Sequence, residues 1–122
     1  MRGLHFQMKF PQAKLLRCLR GKVFDVAVDI RKGSPYFGKW VGEELTEDNK
    51  LQLYIPKGFA HGYYVMSERA EIVYKCSDIF HPNHEEGIRW DDPEIGIEWP
   101  GTEPLLSEKD IKLPMLNSLN FN

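Results

Sequence analysis

Residues 13–28 read AKLLRCLRGKVFDVAV, and this stretch decides the fold class. Apolar residues alternate with polar ones on both sides of Gly21, as they do in half-buried β-strands. A glycine between two such runs predicts a tight turn, so we expect two strands joined as a hairpin at residues 20–22. No spacing of three to four residues, which would indicate an amphipathic helix, competes with this reading.

The same alternation continues through the first two thirds of the chain. It predicts further strands, separated by polar turns that contain Pro, Gly or Asn, at residues 37–44, 51–55, 60–66 and 70–76. Many short strands at this spacing are typical of an all-β sandwich or barrel.

The character of the chain changes at residue 81, where Pro, Gly and acidic residues become frequent. We expect an ordered surface arm held against the barrel by large side chains such as Trp99. Ser107, followed by acidic residues, predicts a short helix that ends before Pro114. The tail after Leu116 is expected to fray.

Length and charge set limits on the function. The 122 residues, 42% of them hydrophobic, are enough for one domain with an ordinary core spanning residues 1–122. Sixteen basic and eighteen acidic residues are mixed along the chain and give a net charge of −2, so we expect neither a nucleic-acid partner nor a membrane surface.

The cysteines and the hydropathy pattern bear on location. Cys18 and Cys76 are isolated within apolar runs, lack the spacing of a metal or redox pair, and are predicted to be core residues. Free cysteines fit a reducing cytosol. The sequence has no run of about 18 apolar residues and no signal-peptide pattern, so we expect a soluble cytoplasmic protein.

Two histidines lie in apolar, strand-like segments: His5 in RGLHFQ and His61 in IPKGFAHGYY. A buried imidazole must be hydrogen-bonded, and it exchanges protons near neutral pH. Taken alone, each is more often a satisfied core or edge histidine than a catalyst. Neither has the close histidine partner of a metal site, and His81 and His84 lie in a polar turn that is typical of solvated surface, so no metal is predicted.

Together with the Tyr74-Lys75 and Ser107–Asp110 segments, these two stretches closely resemble the dTDP-4-dehydrorhamnose 3,5-epimerase family, from Arg2 to about Pro114. The resemblance implies a cupin-type double-stranded β-helix, or jelly-roll barrel, with a short C-terminal arm and helix. Family members normally carry a segment ahead of RGLHFQ that we expect this chain to lack.

The resemblance also implies an acid-base pair. His5 corresponds to the general base, oriented by Asp110, and Asp25 is expected to orient His61 in the same way. A carboxylate on one ring nitrogen fixes the tautomer and leaves the other nitrogen free to accept a proton. Tyr74 corresponds to the general acid on the opposite face of the sugar; without the resemblance it would equally be a tyrosine that merely lines the barrel.

Further residues are implied to hold the substrate. Lys14 and His61 would stabilise the enolate that forms when a proton leaves a carbon beside the ketone. Without the resemblance, Lys14 would be a solvated lysine at a strand end and Phe80 a core residue. The residues implied to bind the nucleotide sugar are Arg2, Glu85 and Lys109, with Phe80 stacking on thymine.

The implied function is that of a cofactor-independent isomerase acting on dTDP-4-dehydro-6-deoxyglucose at carbons 3 and 5, as a homodimer. No cofactor is expected, because the 4-keto group already acidifies both carbons. Two alternatives stay open at this point: an epimerase that inverts a single carbon of a dTDP-4-keto-6-deoxy sugar, and a non-catalytic cupin that binds sugar nucleotides.

Overall fold

Two antiparallel β-sheets dominate residues 1–121, the part of the chain that this computed structural model describes. The strands are β1 Arg2–Gln7, β2 Lys14–Arg20, β3 Lys22–Asp29, β4 Trp40–Thr46, β5 Gln52–Ile55, β6 Phe59–Val65, β7 Glu71–Cys76 and β8 Glu85–Gly87. Their order is β4-β3-β6-β1-β8 in the larger sheet and β5-β2-β7 in the smaller. A short helix, α1 Glu108–Ile111, and 3-10 turns at Pro82–His84 and Leu116–Ser118 complete the elements. The all-β prediction is confirmed.

The predicted hairpin between β2 and β3 is wrong, although both strands form where expected. β2 pairs with β5 and β7, whereas β3 pairs with β4 and β6, so the chain crosses from one sheet to the other at Gly21. Gly21 has φ +80°, and a Cβ there would lie 2.2 Å from the carbonyl oxygen of Arg69. Alternation identifies a strand but does not specify its partner.

The starting residues of two other predicted elements can be compared with the structure. The strand predicted at residues 37–44 begins only at Trp40, because Gly38 adopts φ +82° and donates its N–H to the carbonyl of Asp29 at 2.7 Å. The helix predicted at Ser107 is confirmed: its hydroxyl accepts a hydrogen bond from the N–H of Asp110 at 3.1 Å.

The C-terminal arm covers the outer face of the five-stranded sheet, as predicted. Trp99 donates its indole N–H to the carbonyl of Trp90 at 2.8 Å. The fraying predicted after Leu116 is wrong, because Leu116 is buried and both Leu119 and Phe121 pack on the same core. That core comprises Leu4, Phe6, Val26, Val28, Ile30, Ala60, Ile88, Ile95 and Leu116.

The space between the sheets is divided into two halves. The closed half is a second apolar core that draws on both sheets, formed by Leu16, Cys18, Val23, Ala27, Leu45 and Ile55. The open half is a cavity. Cys18 is thus a core residue as predicted, but the prediction for Cys76 is wrong, because Cys76 is exposed at the end of β7 and lines the cavity.

The expected absence of a membrane-spanning segment can be compared with the helices of the structure. Within the described residues, no helix is both long and apolar enough to cross a membrane.

Candidate active site

A cavity of about 480 Å³ lies between the two sheets. His5 and His61 face it from the five-stranded sheet, and Lys14 and Tyr74 face it from the three-stranded sheet. Loops at one end of the barrel bring basic residues, including Arg31, to the same cavity. Polar side chains from both walls therefore converge on a space large enough for a small organic ligand.

The two histidines are held side by side by strand pairing. His5 of β1 is the direct cross-strand partner of His61 of β6, just after an irregularity in the register. The strands approach closely at glycine: a Cβ on Gly62 would lie 2.8 Å from the carbonyl oxygen of Arg2, and one on Gly3 would lie 2.7 Å from the Cα of Gly62. No side chain fits at either position without moving a strand that carries a histidine.

His5 and Asp110 meet as the resemblance implied. The Nε2 of His5 donates to the Oδ1 of Asp110 at 2.6 Å, and the N–H of Gly3 donates to the other carboxylate oxygen at 3.2 Å. Asp110 is 3% exposed and is placed by the cap of α1. The contact fixes the imidazole as the tautomer with hydrogen on Nε2, so Nδ1 is the nitrogen left for proton transfer.

The Nδ1 of His5 faces a second carboxylate. It lies 3.1 Å from the Oε1 of Glu85, whose Oε2 accepts a hydrogen bond from the Nζ of Lys109 at 3.0 Å. Glu85 is on β8, which pairs with β1, and its side chain is nearly buried. The sequence led us to place Glu85 and Lys109 on the ligand; their contact with each other and with His5 was not expected.

His61 and Asp25 form a second pair, again as implied by the resemblance. The Nε2 of His61 donates to the Oδ1 of Asp25 at 2.5 Å. Asp25 is fully buried in β3, and its Oδ2 has no hydrogen-bond partner among the described residues. The tautomer of His61 is therefore fixed by one carboxylate oxygen, in an environment with few other donors.

Lys14 is half-buried at the start of β2 rather than solvated. Its desolvation lowers the pKa of the ammonium below the usual 10.5, and the positive charge of Arg2 acts in the same direction, while nearby acidic groups oppose it. The Nζ of Lys14 lies 5.8 Å from the ring centre of Tyr74. A partly dehydrated cation near a phenol suits the stabilisation of developing negative charge.

Tyr74 and Phe80 line the cavity without being buried, since they are 48% and 53% exposed. Tyr74 pairs with Leu16 across β7 and β2, on the wall opposite to His5. Phe80 follows β7 and is not the core residue that its isolated sequence would suggest. Arg2 is exposed at the start of β1 and also lines the cavity.

Sequence reasoning missed Gln7, which joins two loops at the cavity. Its amide nitrogen donates to the carbonyl of Phe10 at 2.8 Å, and its Oε1 accepts from the N–H of His81 at 3.2 Å. The ring of Phe10 stacks on His81 at 4.2 Å and meets His84 edge-on at 5.4 Å. The two histidines are therefore packed and not simply solvated; the only signal was the position of Gln7 two residues after His5, on the same face of β1.

A metal would require a cluster of ligands. Within residues 1–121, no group of three or more His, Cys, Asp or Glu side chains is arranged to hold one. Metal-free chemistry stays a prediction.

Comparison with known proteins places this cavity in a family. The family model described as dTDP-4-dehydrorhamnose 3,5-epimerase matches residues 1–118. The chain belongs to this family. It is 58% identical over 112 residues to the dTDP-4-dehydrorhamnose 3,5-epimerase of Shigella flexneri, a match that covers 91% of this chain and 62% of the relative. The chain thus spans about three fifths of the length of this relative and of the dTDP-4-dehydrorhamnose 3,5-epimerase of Pseudomonas aeruginosa.

Solved structures of this epimerase family confirm the cupin-type fold. A dTDP-6-deoxy-D-glucose-3,5-epimerase from Legionella pneumophila, in complex with dTDP-4-keto-L-rhamnose, superposes with a TM-score of 0.95 at 52% identity, covering 98% of this chain and 64% of that one. A 3'-monoepimerase from Streptomyces bikiniensis, in complex with dTDP-quinovose, superposes with a TM-score of 0.88 at 37% identity, covering 95% and 60%.

Proposed function

We propose that this chain carries the catalytic core of a dTDP-4-dehydrorhamnose 3,5-epimerase, which converts dTDP-4-dehydro-6-deoxy-D-glucose into dTDP-4-dehydro-L-rhamnose. One observation carries the proposal: His5 and Tyr74 face each other from opposite walls of one cavity. Inversion of a carbon requires that a proton leave one face and another arrive at the opposite face, so a base and an acid on opposite walls suit that reaction.

In this proposal, His5 removes the proton. Asp110 holds Nε2, and Nδ1 takes a proton from each of carbons 3 and 5 in turn. The electron pair of each broken C–H bond moves into an enolate whose oxygen derives from the 4-keto group. Lys14 and His61, both lining the cavity, stabilise that oxygen, and Asp25 keeps His61 oriented. Tyr74 then returns a proton to the opposite face.

The nucleotide occupies the outer part of the cavity. Arg2 binds the diphosphate, because a guanidinium can donate to phosphate oxygens in pairs. Phe80, half-exposed beside the cavity, stacks on the thymine ring. Lys109 adds a cation near Glu85, and both residues contact the sugar nucleotide once it is bound.

The proposal extends to assembly and location. Strands β5 and β7 are the edges of the three-stranded sheet within residues 1–121, and Leu19, Tyr54 and Val73 expose apolar surface on that sheet. Open edges and apolar faces favour association, so we propose a homodimer in the cytoplasm that binds neither nucleic acid nor membranes. Sedimentation at micromolar concentration tests the dimer, and a stable monomer would contradict it.

Deuterium exchange tests the reaction itself. The chain is incubated in D₂O with dTDP-4-dehydro-6-deoxyglucose, and NMR follows the signals of carbons 3 and 5. We expect deuterium and inverted configuration at both carbons. Tyr74→Phe should exchange the sugar protons while the inverted product is lost, because proton removal by His5 does not need the phenol. Loss of exchange together with inversion, in a folded variant, would reassign Tyr74 to positioning the ring.

A single-carbon epimerase is the second candidate, favoured by the structural match to the 3'-monoepimerase at a TM-score of 0.88. It predicts exchange and inversion at one carbon only. A non-catalytic sugar-nucleotide-binding protein predicts exchange at neither. The same experiment therefore separates the three functions.

A further inference from the structure

Both ring nitrogens of His5 contact carboxylates, and only one of those contacts is explained by orienting a base. The Nε2 donates to Asp110, while Nδ1 lies 3.1 Å from the Oε1 of Glu85. When Nδ1 takes up a proton from the substrate, Oε1 of Glu85 is within hydrogen-bond distance to accept that proton in turn.

A double inversion creates a problem of proton balance, if the proposed function is right. After the first carbon is inverted, the proton taken from it is on Nδ1 of His5, and Tyr74 is a phenolate. In that state His5 cannot accept the second proton and Tyr74 cannot donate one. Both groups must be reset while the singly inverted sugar is still bound.

Few neighbours can take the proton from His5. Lys14 and Lys109 are cations and have no site for one. Asp110 is engaged with Nε2 and with the N–H of Gly3, on the far side of the ring from Nδ1. Glu85 touches Nδ1 directly, and its second oxygen meets Lys109, whose side chain is 59% exposed.

We propose that Glu85 resets His5 between the two inversions. The Nδ1–H bond of His5 breaks, and a new O–H bond forms on Oε1 of Glu85, which leaves the imidazole neutral. Glu85 then gives that proton to water on the solvent side of Lys109, and Tyr74 takes a proton from water, so the net count of protons is unchanged. Glu85 acts on the reaction through His5.

Glu85→Gln tests this directly, because an amide keeps the size of the side chain but cannot accept the proton. In D₂O with saturating dTDP-4-dehydro-6-deoxyglucose, we expect exchange at the second carbon to slow, relative to exchange at the first, by about 100-fold or more, the usual size of a lost acid-base group. A singly inverted, singly deuterated sugar then accumulates in the NMR spectrum. Glu86→Gln, which changes an exposed carboxylate on the same strand, is the matched control and should leave both exchanges unchanged.

A rescue experiment separates proton transfer from structural support. In Glu85→Ala, added formate should restore the second exchange without changing the first, since a small carboxylate can reach the vacated space. Equal slowing of both exchanges in Glu85→Gln, unchanged exchange at both carbons, or a rise in KM alone would each overturn the inference. If the wild-type chain itself exchanges neither carbon, or only one, the proposed double epimerisation fails instead.

Discussion

The two halves of the barrel interior are built from the same strands but do opposite things. On the inward face of β2, Lys14 lines the cavity, and Leu16, two residues on, is fully buried in the closed apolar half. On β3, Asp25 supports His61 between Val23 and Ala27, which belong to the apolar core. Side chains only two residues apart on one strand therefore belong to the cavity in one case and to the apolar core in the other. The packed half holds the polar side chains in position.

Removing the base from the polar half should have the largest effect, and that effect should be on the rate of turnover. His5→Asn should lower turnover by about 10²–10⁴-fold, because a general base is lost, while binding of the nucleotide sugar changes by less than about tenfold. Unfolding by denaturant should be nearly unchanged, since His5 lies in the polar half. Turnover close to that of the wild type would make His5 a structural residue and erase the distinction.

A core truncation should have the reverse effect. Leu16→Ala in the closed half should lower the free energy of unfolding by about 2–5 kcal/mol, because it leaves a cavity in a fully buried position. Turnover per folded molecule should stay within a few fold. Leu15→Ala, on the opposite face of β2, is the control and should cost much less. A loss of turnover in Leu16→Ala as large as that of His5→Asn would show that the halves are not separable.

Asp29 lies at the end of β3, close to Arg31, which lines the cavity. Replacing Asp29 tests whether this end of the strand contributes to stability, as the packed half does. Hydrogen bonds from Arg31 hold the pKa of Asp29 at about 2, below the usual 3.8, and burial opposes them. A lowered carboxyl pKa contributes stability that is present above pH 4 and lost as the pH falls towards 2. Asp29→Asn should therefore cost about 2 kcal/mol at pH 7. The difference from the wild type should vanish near pH 2 in chemical denaturation, and a gap that persists there would exclude this charge as the cause.

The smallest expected effect is a shift in the pH dependence of turnover. Burial lowers the pKa of Lys14, so its ammonium should lose its proton at a lower pH than an ordinary lysine, and turnover should fall on the alkaline side as this cation disappears. Lys14→Arg keeps the charge and should move that alkaline decline upward, with only a few-fold loss near neutral pH. An unchanged alkaline limb in the pH-rate profile would remove Lys14 from the chemistry.

The strands were predictable because alternation is a local property. β2, β3, β5, β6 and β7 lie within two residues of their expected positions, and Ser107 caps its helix as predicted. Partners are not local. The alternation in β2 and β3 does not indicate that the chain crosses to another sheet at Gly21. For this reason the predicted hairpin was wrong.

In the candidate site, too, contacts between residues distant in the chain could not be predicted from local patterns. The pairs His5–Asp110 and His61–Asp25 were expected only through the family resemblance, since 105 and 36 residues separate their members. The contact of Glu85 with His5 depends on the register of β8 against β1, which no local pattern encodes. Phe121 was missed for a related reason: its packing on Phe6 and Phe37 is a property of the folded core and not of the tail.

The distance along the chain between His5 and Asp110 has a consequence in time. His5 lies in β1, whereas Asp110 lies 105 residues later, in α1. Until that helix docks, Nε2 of His5 has no carboxylate to orient it. A growing chain can therefore pair strands β1 to β8 before it holds an aligned base, and catalytic competence has to wait until α1 has left the ribosome.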